Sequence, residues 1–489
     1  MRASWRPNRR EAAANRHERL VCDALAAHAT LLGKWQHTES RIANHSLRRG
    51  IFDACFGPSR PIVRGVRAGD VAMTLSFMKR LLVVAFHFPP FAVSSGVQRT
   101  LRFIQHLPRF GWEVIVLTCH PRAYEKITSD LERDIPPGTV VERAFALDAA
   151  RHLAFREKYP GWLARPDRWV SWWPAAVYEG RRMIAKYRPS AILSTYPIAT
   201  AHLIGDSLSR WGALPWVADF RDPMAQDGYP ADPRTWASFK KVEERVFARA
   251  AACTFTTRGA ANTYRKRYPG SSSRIEVIEN GYDQETFDEA RRDRVIDAPL
   301  AVGVKTLLHS GIVYPDERDP TQLFAALALL SARGVDGQRL RLRFRGAIHE
   351  ALLIELAQRH RVEHMVEIMP QVPYREALDE MMRADGLLIL QAANCNEQVP
   401  AKLYEYLRAR RPLLALTDPD GDTAAVLRES GSHAVARLDD PHAIANLLAR
   451  FEGGDFQGML ADESAIARSS RTVRAEQMAR LLDEIGDGK

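Results

Sequence analysis

Cysteine is scarce in this chain. Its 489 residues include five, Cys22, Cys55, Cys119, Cys253 and Cys395, far apart and with no CxxC pair. That excludes a disulfide framework and argues against a zinc site. Long apolar runs are also missing. Leu81–Phe86 is typical, far short of the roughly 18 to 20 residues that span a bilayer. No N-terminal segment sets a basic patch, an apolar core and a small-residue cleavage site in that order. A cytoplasmic location is therefore expected. Charge is unevenly spread along the chain. Residues 1–77 hold thirteen Lys and Arg against six Asp and Glu, a net of +7. The chain as a whole is +10, so the other 412 residues carry only +3. The high pI therefore gives no reason to expect a nucleic-acid partner for the body of the protein.

What is present from Leu81 onward is alternation of strand and helix. Strands are expected at 81–86, 113–118, 191–194, 216–219, 252–257 and 275–278. Helices are expected at 96–107, 173–186, 199–208, 235–251 and 259–267. Such βα alternation predicts a parallel sheet covered on both faces. A charged, weakly patterned stretch containing Arg291-Arg292-Asp293-Arg294 reads as a linker. The alternation then restarts, with strands at 306–310, 340–345, 366–369, 386–390 and 412–416, and a closing helix over 463–485. The expected division is a basic leader at 1–77, a first domain at 78–290, a linker at 291–301, a second domain at 302–460 and a closing segment at 461–489. Met78-Lys79-Arg80 leads straight into the first strand. Two readings of the leader stand beside each other: an upstream extension, or a basic arm for a membrane surface or partner.

Candidate functional residues fall at the carboxyl ends of these strands, where open α/β sheets bind ligands. After the first strand, Ser94-Ser95-Gly96 opens a helix, and its exposed N–H groups and dipole favour an anion. Ser194-Thr195-Tyr196-Pro197 precedes a helix carrying His202. Asp219, Arg221 and Asp222 end a buried strand, either as acceptor-side contacts or as a structural Arg–Asp pair. Glu279-Asn280-Gly281-Tyr282-Asp283 is a turn out of the sheet. In the second half, Gly311 would let a phosphate reach the backbone, and Arg318 would supply charge or pair with Glu317 and Asp319. Pro400 sits at a helix start, with Lys402 in the first turn, where the dipole disfavours a cation. That placement makes sense if an anion binds there. Glu405, three residues on, shares the face of Lys402 and is suited to ribose hydroxyls. Asp418, Asp420 and Asp422 alternate like metal ligands, but they lie in a turn, where Asp serves as turn former and N-cap. His360 and His364 have no third ligand nearby.

In order, FHFPP, SSG, PWVADFRDP, ENGYD, LLHSG with RDP, and Glu397-x7-Glu405 containing P-x-K-x-x-E-Y resemble the retaining GT-B glycosyltransferases of the group 1 (family 4-like) kind. The likeness is closest to those of bacterial surface-polysaccharide synthesis and covers residues 78 to 482. It implies an α/β fold of two doubly wound, Rossmann-like domains facing across a cleft, with a C-terminal helix crossing back. It implies transfer of a sugar from a nucleotide diphosphate sugar to an acceptor, lipid-linked in many relatives. Ser95 and Gly96 then match the glycine-rich loop near the donor. Gly311 and Arg318 match the basic phosphate loop, Lys402 the phosphate lysine and Glu405 the ribose carboxylate. Glu397 matches the glutamate facing the transferred sugar, so Glu397, Arg318 and Lys402 are the expected catalytic set. His202, Asp219, Arg221 and Asp222 are expected on the acceptor side. Glu397-Gln398-Val399 departs from the usual Glu-Gly-Phe, and the second basic residue after Arg318 is missing. No metal or other cofactor is expected, because side chains and helix ends supply the positive charge.

Two other readings share the architecture: a nucleotide-sugar 2-epimerase, and a scaffold that has kept the fold without the chemistry. Peripheral membrane contact is expected through Trp162, Trp169, Trp172 and Trp173 with Arg165 and Arg168, since aromatic and basic residues together suit an interface. A chain beginning at Met78 is expected to fold and to bind nucleotide as the full chain does. Loss of cooperative unfolding or of nucleotide binding on that truncation would overturn the reading of the leader as an extension.

Overall fold

The computed structural model describes residues 78–92, 95–156, 158–292 and 298–487. The leader and part of the expected linker lie outside the described residues. Two parallel sheets organise the rest. The first comprises β1 (Lys79–Ala85), β2 (Trp112–Cys119), β3 (Val141–Ala144), β4 (Ala191–Thr195), β5 (Trp216–Arg221), β6 (Ala252–Phe255) and β7 (Arg274–Val277), in the order 3-2-1-4-5-6-7. The second comprises β8 (Lys305–Ser310), β9 (Leu340–Arg345), β10 (Val366–Met369), β11 (Gly386–Leu390), β12 (Leu413–Leu416) and β13 (Val435–Ala436), in the order 10-9-8-11-12-13. Each sheet reverses its strand order once, between β1 and β4 and between β8 and β11. Those switch points open the crevices in which such sheets hold ligands.

The central strands form where the sequence is apolar on both faces. Every residue of Leu81–Ala85 and of Gly386–Leu390 is buried, which selects β pairing beneath helices on either side. Two strands escape the sequence reading. Val141–Ala144 carries Glu142 and Arg143 at the edge of its sheet, and Val435–Ala436 is only two residues long. The expected closing helix is in fact two, Glu463–Arg468 and Arg471–Asp487. The break falls where Ser470 bridges to Tyr282, with Tyr282 N–H donating to the Ser469 carbonyl (3.2 Å) and Arg471 N–H to the Tyr282 carbonyl (2.8 Å). Beyond the break the chain returns to the first sheet. Ala475, Met478, Ala479 and Leu482 share a core with Leu81, Val83, Phe103 and Trp112. Helix Gln284–Arg292 runs two residues into the stretch read as linker. Its Phe287 and Ala290 pack with Leu378, Met381 and Leu403 of the second half. Cys119, Cys253 and Cys395 are buried free thiols.

One buried ion pair fixes the centre of the first domain. Arg99, on helix Ser95–His106, donates from Nε and Nη2 to the two carboxylate oxygens of Asp219 on β5, at 3.0 Å each. It also donates to the carbonyls of Ile278 (2.9 Å) and Glu279 (3.0 Å). Thr254 (2.7 Å) and Thr195 (3.1 Å) complete the carboxylate's partners. Burial alone would raise the Asp219 carboxyl. Arg99 and the Thr254 hydroxyl outweigh it and hold the group below the ordinary carboxylate range. Asp219 was expected on the acceptor side of the cleft. The structure makes it the structural half of an Arg–Asp pair, with Arg99 rather than Arg221 as partner.

Removing one partner of such a pair strands a buried charge and costs about 3 to 5 kcal/mol. Asp219→Ala is therefore expected to lose stability of that order in denaturant unfolding. The folded carboxyl titrates below the unfolded one, so its contribution is complete above the unfolded carboxylate's range. It fades as pH falls through the folded value. An Asp219→Ala chain as stable as the parent would overturn this account.

Candidate nucleotide-sugar site

The second switch point carries a compact group of cations. β8 ends at His309-Ser310-Gly311, and Gly311 turns the chain with φ +108°. The Gly311 N–H is fixed by the Arg345 carbonyl at 2.8 Å. A β-carbon at this position would stand 3.0 Å from Lys402 Nζ, so glycine is what lets the lysine lie against the loop. Lys402 opens helix Lys402–Ala409, after the carboxyl end of β11. Its Nζ lies 3.2 Å from His309 Nε2, and His309 Nδ1 lies 2.9 Å from the Leu388 carbonyl. A carbonyl only accepts, so Nδ1 carries the imidazole proton and Nε2 accepts from the lysine. Burial, then the charges of Lys402 and Arg318, push His309 well below its ordinary range and keep it neutral. Arg318 forms no ion pair with Glu317 or Asp319 among the described residues. It donates to the Ile312 carbonyl and lies over the Tyr314 ring. Burial and Arg318 also lower Lys402 well below the usual amine range, with Glu405 acting in the opposite sense. Lys402 and Arg318 thus oppose each other's charge, with Glu405 as the balancing carboxylate on the Lys402 side.

Glu405 lies one helical turn along from Lys402. Tyr374, which opens helix Tyr374–Arg383 beyond β10, donates its hydroxyl to Glu405 Oε1 at 2.6 Å. Burial raises the Glu405 carboxyl, while Tyr374, Arg471 and Lys402 work to lower it. Arg471 is buried at the start of the returning helix. Burial draws its guanidinium down to about 10, against the pull of Tyr374 and Glu405. Sequence reading missed both Tyr374 and Arg471. Their positions at helix starts were the only available signal, and neither residue forms a motif with its chain neighbours. Glu397 stands apart from this group. It is exposed, its side chain is held by Thr263 (2.5 Å) and its carbonyl by Thr257 (2.6 Å), both in the first domain.

The first-domain side of the cleft is built on β1, β4 and β5. His202 does not reach it. The residue is 0% exposed, with Nδ1 2.8 Å from Ser194 Oγ, which also accepts from Trp216 Nε1. Burial lowers it to about 3, so it is a neutral core residue and not the acceptor-side contact expected. Gly205 permits the arrangement, since a β-carbon there would come within 2.6 Å of Trp216 Nε1. Arg221 and Asp222 do lie at the strand end. Arg221 adopts φ +65° at a register shift in β5, a conformation that costs an L-residue roughly 1 to 2 kcal/mol. Thr256 holds it there by donating both its N–H (2.9 Å) and its hydroxyl (2.8 Å) to the Arg221 carbonyl. Burial raises the Asp222 carboxyl, against the pull of Arg221.

Residues 95–281 match the family described as the glycosyl transferase 4-like domain. No curated protein sequence matches the chain. Among solved structures, sucrose-phosphate synthase from Thermosynechococcus elongatus superposes with a TM-score of 0.58 at 15% identity, covering 84% of this chain and all of that one. HepE from Anabaena in complex with UDP gives 0.59 at 14%, over 83% and all. The α,α-trehalose-phosphate synthase (UDP-forming) from Burkholderia xenovorans in complex with glucose-6-phosphate gives 0.57 at 12%, over 83% and all. The chain has the GT-B fold, and its first domain resembles the glycosyl transferase 4-like domain.

In this GT-B frame, Ser95 and Gly96 open helix Ser95–His106 at the carboxyl end of β1. The two domains also clasp across the cleft. Gly259 N–H, in the first turn of helix Arg258–Arg267, donates to Asp422 Oδ2 at 2.8 Å, and Arg258 pairs with Glu429. Of the Asp418–Asp422 carboxylates, Asp418 accepts from Asn396 (2.7 Å) and from the Asp420 N–H (3.0 Å), and Asp422 makes the clasp. The tryptophans expected at a membrane divide. Trp172 is core, Trp169 and Trp173 pack against that core, and Trp162 alone is well exposed, at 69%. Arg168 is committed to Trp169, Glu125 and Asp148.

Burial and Arg318 disfavour the Lys402 ammonium, and an anion placed beside it opposes them. Binding of UDP is expected to take up protons and to weaken as pH rises, because only the ammonium form of Lys402 favours the diphosphate. Calorimetry in buffers of differing ionisation heat reads this directly. Release of protons, or an affinity that rises with pH, would overturn the assignment.

Proposed function

We propose that the protein is a glycosyltransferase that moves a sugar from a nucleotide diphosphate sugar to an acceptor held by the first domain. The observation that carries this reading is the convergence of Gly311, Arg318 and Lys402 at the second switch point, with Glu405 one turn away. The diphosphate lies against Gly311 and between Lys402 and Arg318, and the ribose hydroxyls donate to Glu405. His309, neutral and accepting at Nε2, aims the lysine. As the glycosidic bond breaks, negative charge grows on the leaving diphosphate. Lys402, Arg318 and the helix N-terminus meet that charge in place, without reorganisation. They also supply enough positive charge for the reaction to run without a metal. Closure of the cleft around the donor keeps water from the activated sugar. Glu397, on the rim and touching both domains, faces the sugar once the donor is seated. The retaining outcome follows from the family resemblance.

The acceptor side faces the cytoplasmic membrane surface in this reading. Phe155 (76% exposed), Trp162 and Phe145 stand out of the first domain, with Arg156 and Arg122 over the two phenylalanine rings. Aromatic bodies with basic tips suit a peripheral contact, and a lipid-linked acceptor would be presented there.

A charge-assisted contact is worth roughly 1.5 to 3 kcal/mol. Lys402→Ala is expected to weaken UDP binding by about ten- to a hundredfold and to lower turnover, because charge on the phosphate grows in the transition state. Glu405→Ala should mainly raise the donor KM, since ribose contacts change little along the reaction. Turnover is expected to persist in EDTA. Normal donor affinity and rate in both variants would overturn the site, and rescue of an EDTA-dead enzyme by manganese would overturn the metal-independent mechanism.

A further inference from the structure

Arg221 is more heavily constrained than a structural residue at its position requires. It is 9% exposed, yet its Nε is buried without any hydrogen-bond partner. Only Nη1 has a partner, the Tyr196 carbonyl at 3.0 Å. No carboxylate lies within ion-pair distance among the described residues. Asp222, its chain neighbour, takes only the Thr256 hydroxyl, at 3.4 Å. Asp219 is spent on Arg99. The nearest ring, His87 at the end of β1, stacks on Phe91 with centroids 4.7 Å apart and is neutral, lowered to about 3 by burial and then by Arg221. Asp222 and Asp219 favour the charge from nearby without pairing with it, and burial outweighs them. The backbone is forced to φ +65°, and two hydrogen bonds from Thr256 maintain it. Strain of this kind clusters where a side chain must be aimed at a ligand. A buried guanidinium lacking partners is costly unless something completes it. The planar fork of arginine suits a phosphate or carboxylate in particular. Arg221 sits beside the β1/β4 switch point, on the opposite domain from the cations assigned to the donor.

We infer that Arg221 is the anion-recognition residue of the acceptor site, and that the acceptor carries a phosphate or carboxylate group near the hydroxyl that receives the sugar. This rests on the glycosyltransferase reading for its meaning, though not for its test. With the donor site saturated by UDP, inorganic phosphate is titrated into the full chain and its binding read by calorimetry. Phosphatidylcholine vesicles with and without one quarter phosphatidylglycerol are tested in parallel by flotation. The parent is expected to bind phosphate at this second site. Arg221→Met should weaken that binding at least tenfold, and Arg221→Lys should restore part of it. UDP binding, which draws on the second domain, reports that each variant is folded. Arg221-dependent binding of free phosphate without vesicle binding identifies a soluble phosphate ester as the source. Arg221-dependent flotation only with phosphatidylglycerol identifies a lipid headgroup. Equal binding by the parent and Arg221→Met, or no binding of either probe by the UDP-loaded parent, overturns the inference. Failure of the parent to bind UDP at all would instead overturn the donor site; the inference is then read from phosphate binding by the parent against Arg221→Met without UDP, with cooperative unfolding as the check on folding.

Discussion

The guanidinium of Arg99 holds together three elements that the chain would otherwise leave independent. From one helix it grips a carboxylate on β5 and two carbonyls at the exit from β7. The same exit is grasped from the other side by Arg474 of the returning helix, which pairs with Glu279 and donates to the Asn280 carbonyl at 3.1 Å. The helix that begins at Ser95, the strand that ends at Arg221 and the segment that crosses between domains are thus referenced to one buried charge. Displacing any of them means breaking charge-assisted bonds out of water, which ties all three to the first sheet.

The second domain uses charge in the opposite way. Where Arg99 is fully matched, Lys402 and Arg318 are left facing each other, with a neutral histidine as the nearest partner. The mismatch is tolerable because both side chains keep some contact with solvent. An anion between them would relieve the mutual opposition of the two side chains. Tyr374 and Arg471 bracket Glu405 so that its carboxylate keeps a defined orientation in spite of burial.

Much of this was legible in the residues. Continuous apolar runs gave the central strands, since only a doubly covered parallel sheet accommodates Leu81–Phe86 or Gly386–Leu390. The anomaly of a lysine in the first turn of a helix pointed to an anion, and Gly311 lies directly against that lysine. The failures have physical causes. Val141–Ala144 is an edge strand, with Glu142 and Arg143 in mid-strand and no apolar signature. Ser469-Ser470 gave no hint of a helix break, because the break is imposed by pairing with Tyr282, almost two hundred residues earlier. His202 and Asp219 looked available because polar residues at strand and helix ends usually are. Their burial depends on Ser194, Trp216 and Arg99, which only folding brings near. The tryptophan cluster misled for the same reason, since composition does not distinguish a core ring such as Trp172 from a surface one such as Trp162.

The clasp across the cleft has a kinetic side. Asp422 occupies the N-terminal end of a helix in the facing domain, and Gly259 is the one residue type that admits it, since a β-carbon there would lie 2.5 Å from the carboxylate. Beside it, the pair of Arg258 and Glu429 is exposed to solvent. The two domains are therefore held here by a sheltered bond and a screened one side by side. Separating the domains here must rehydrate the first, merely part the second, and also free Glu397 from Thr257 and Thr263. Parting at this point is therefore timed together with release of the loop that carries Glu397, whose backbone lies against Gly259.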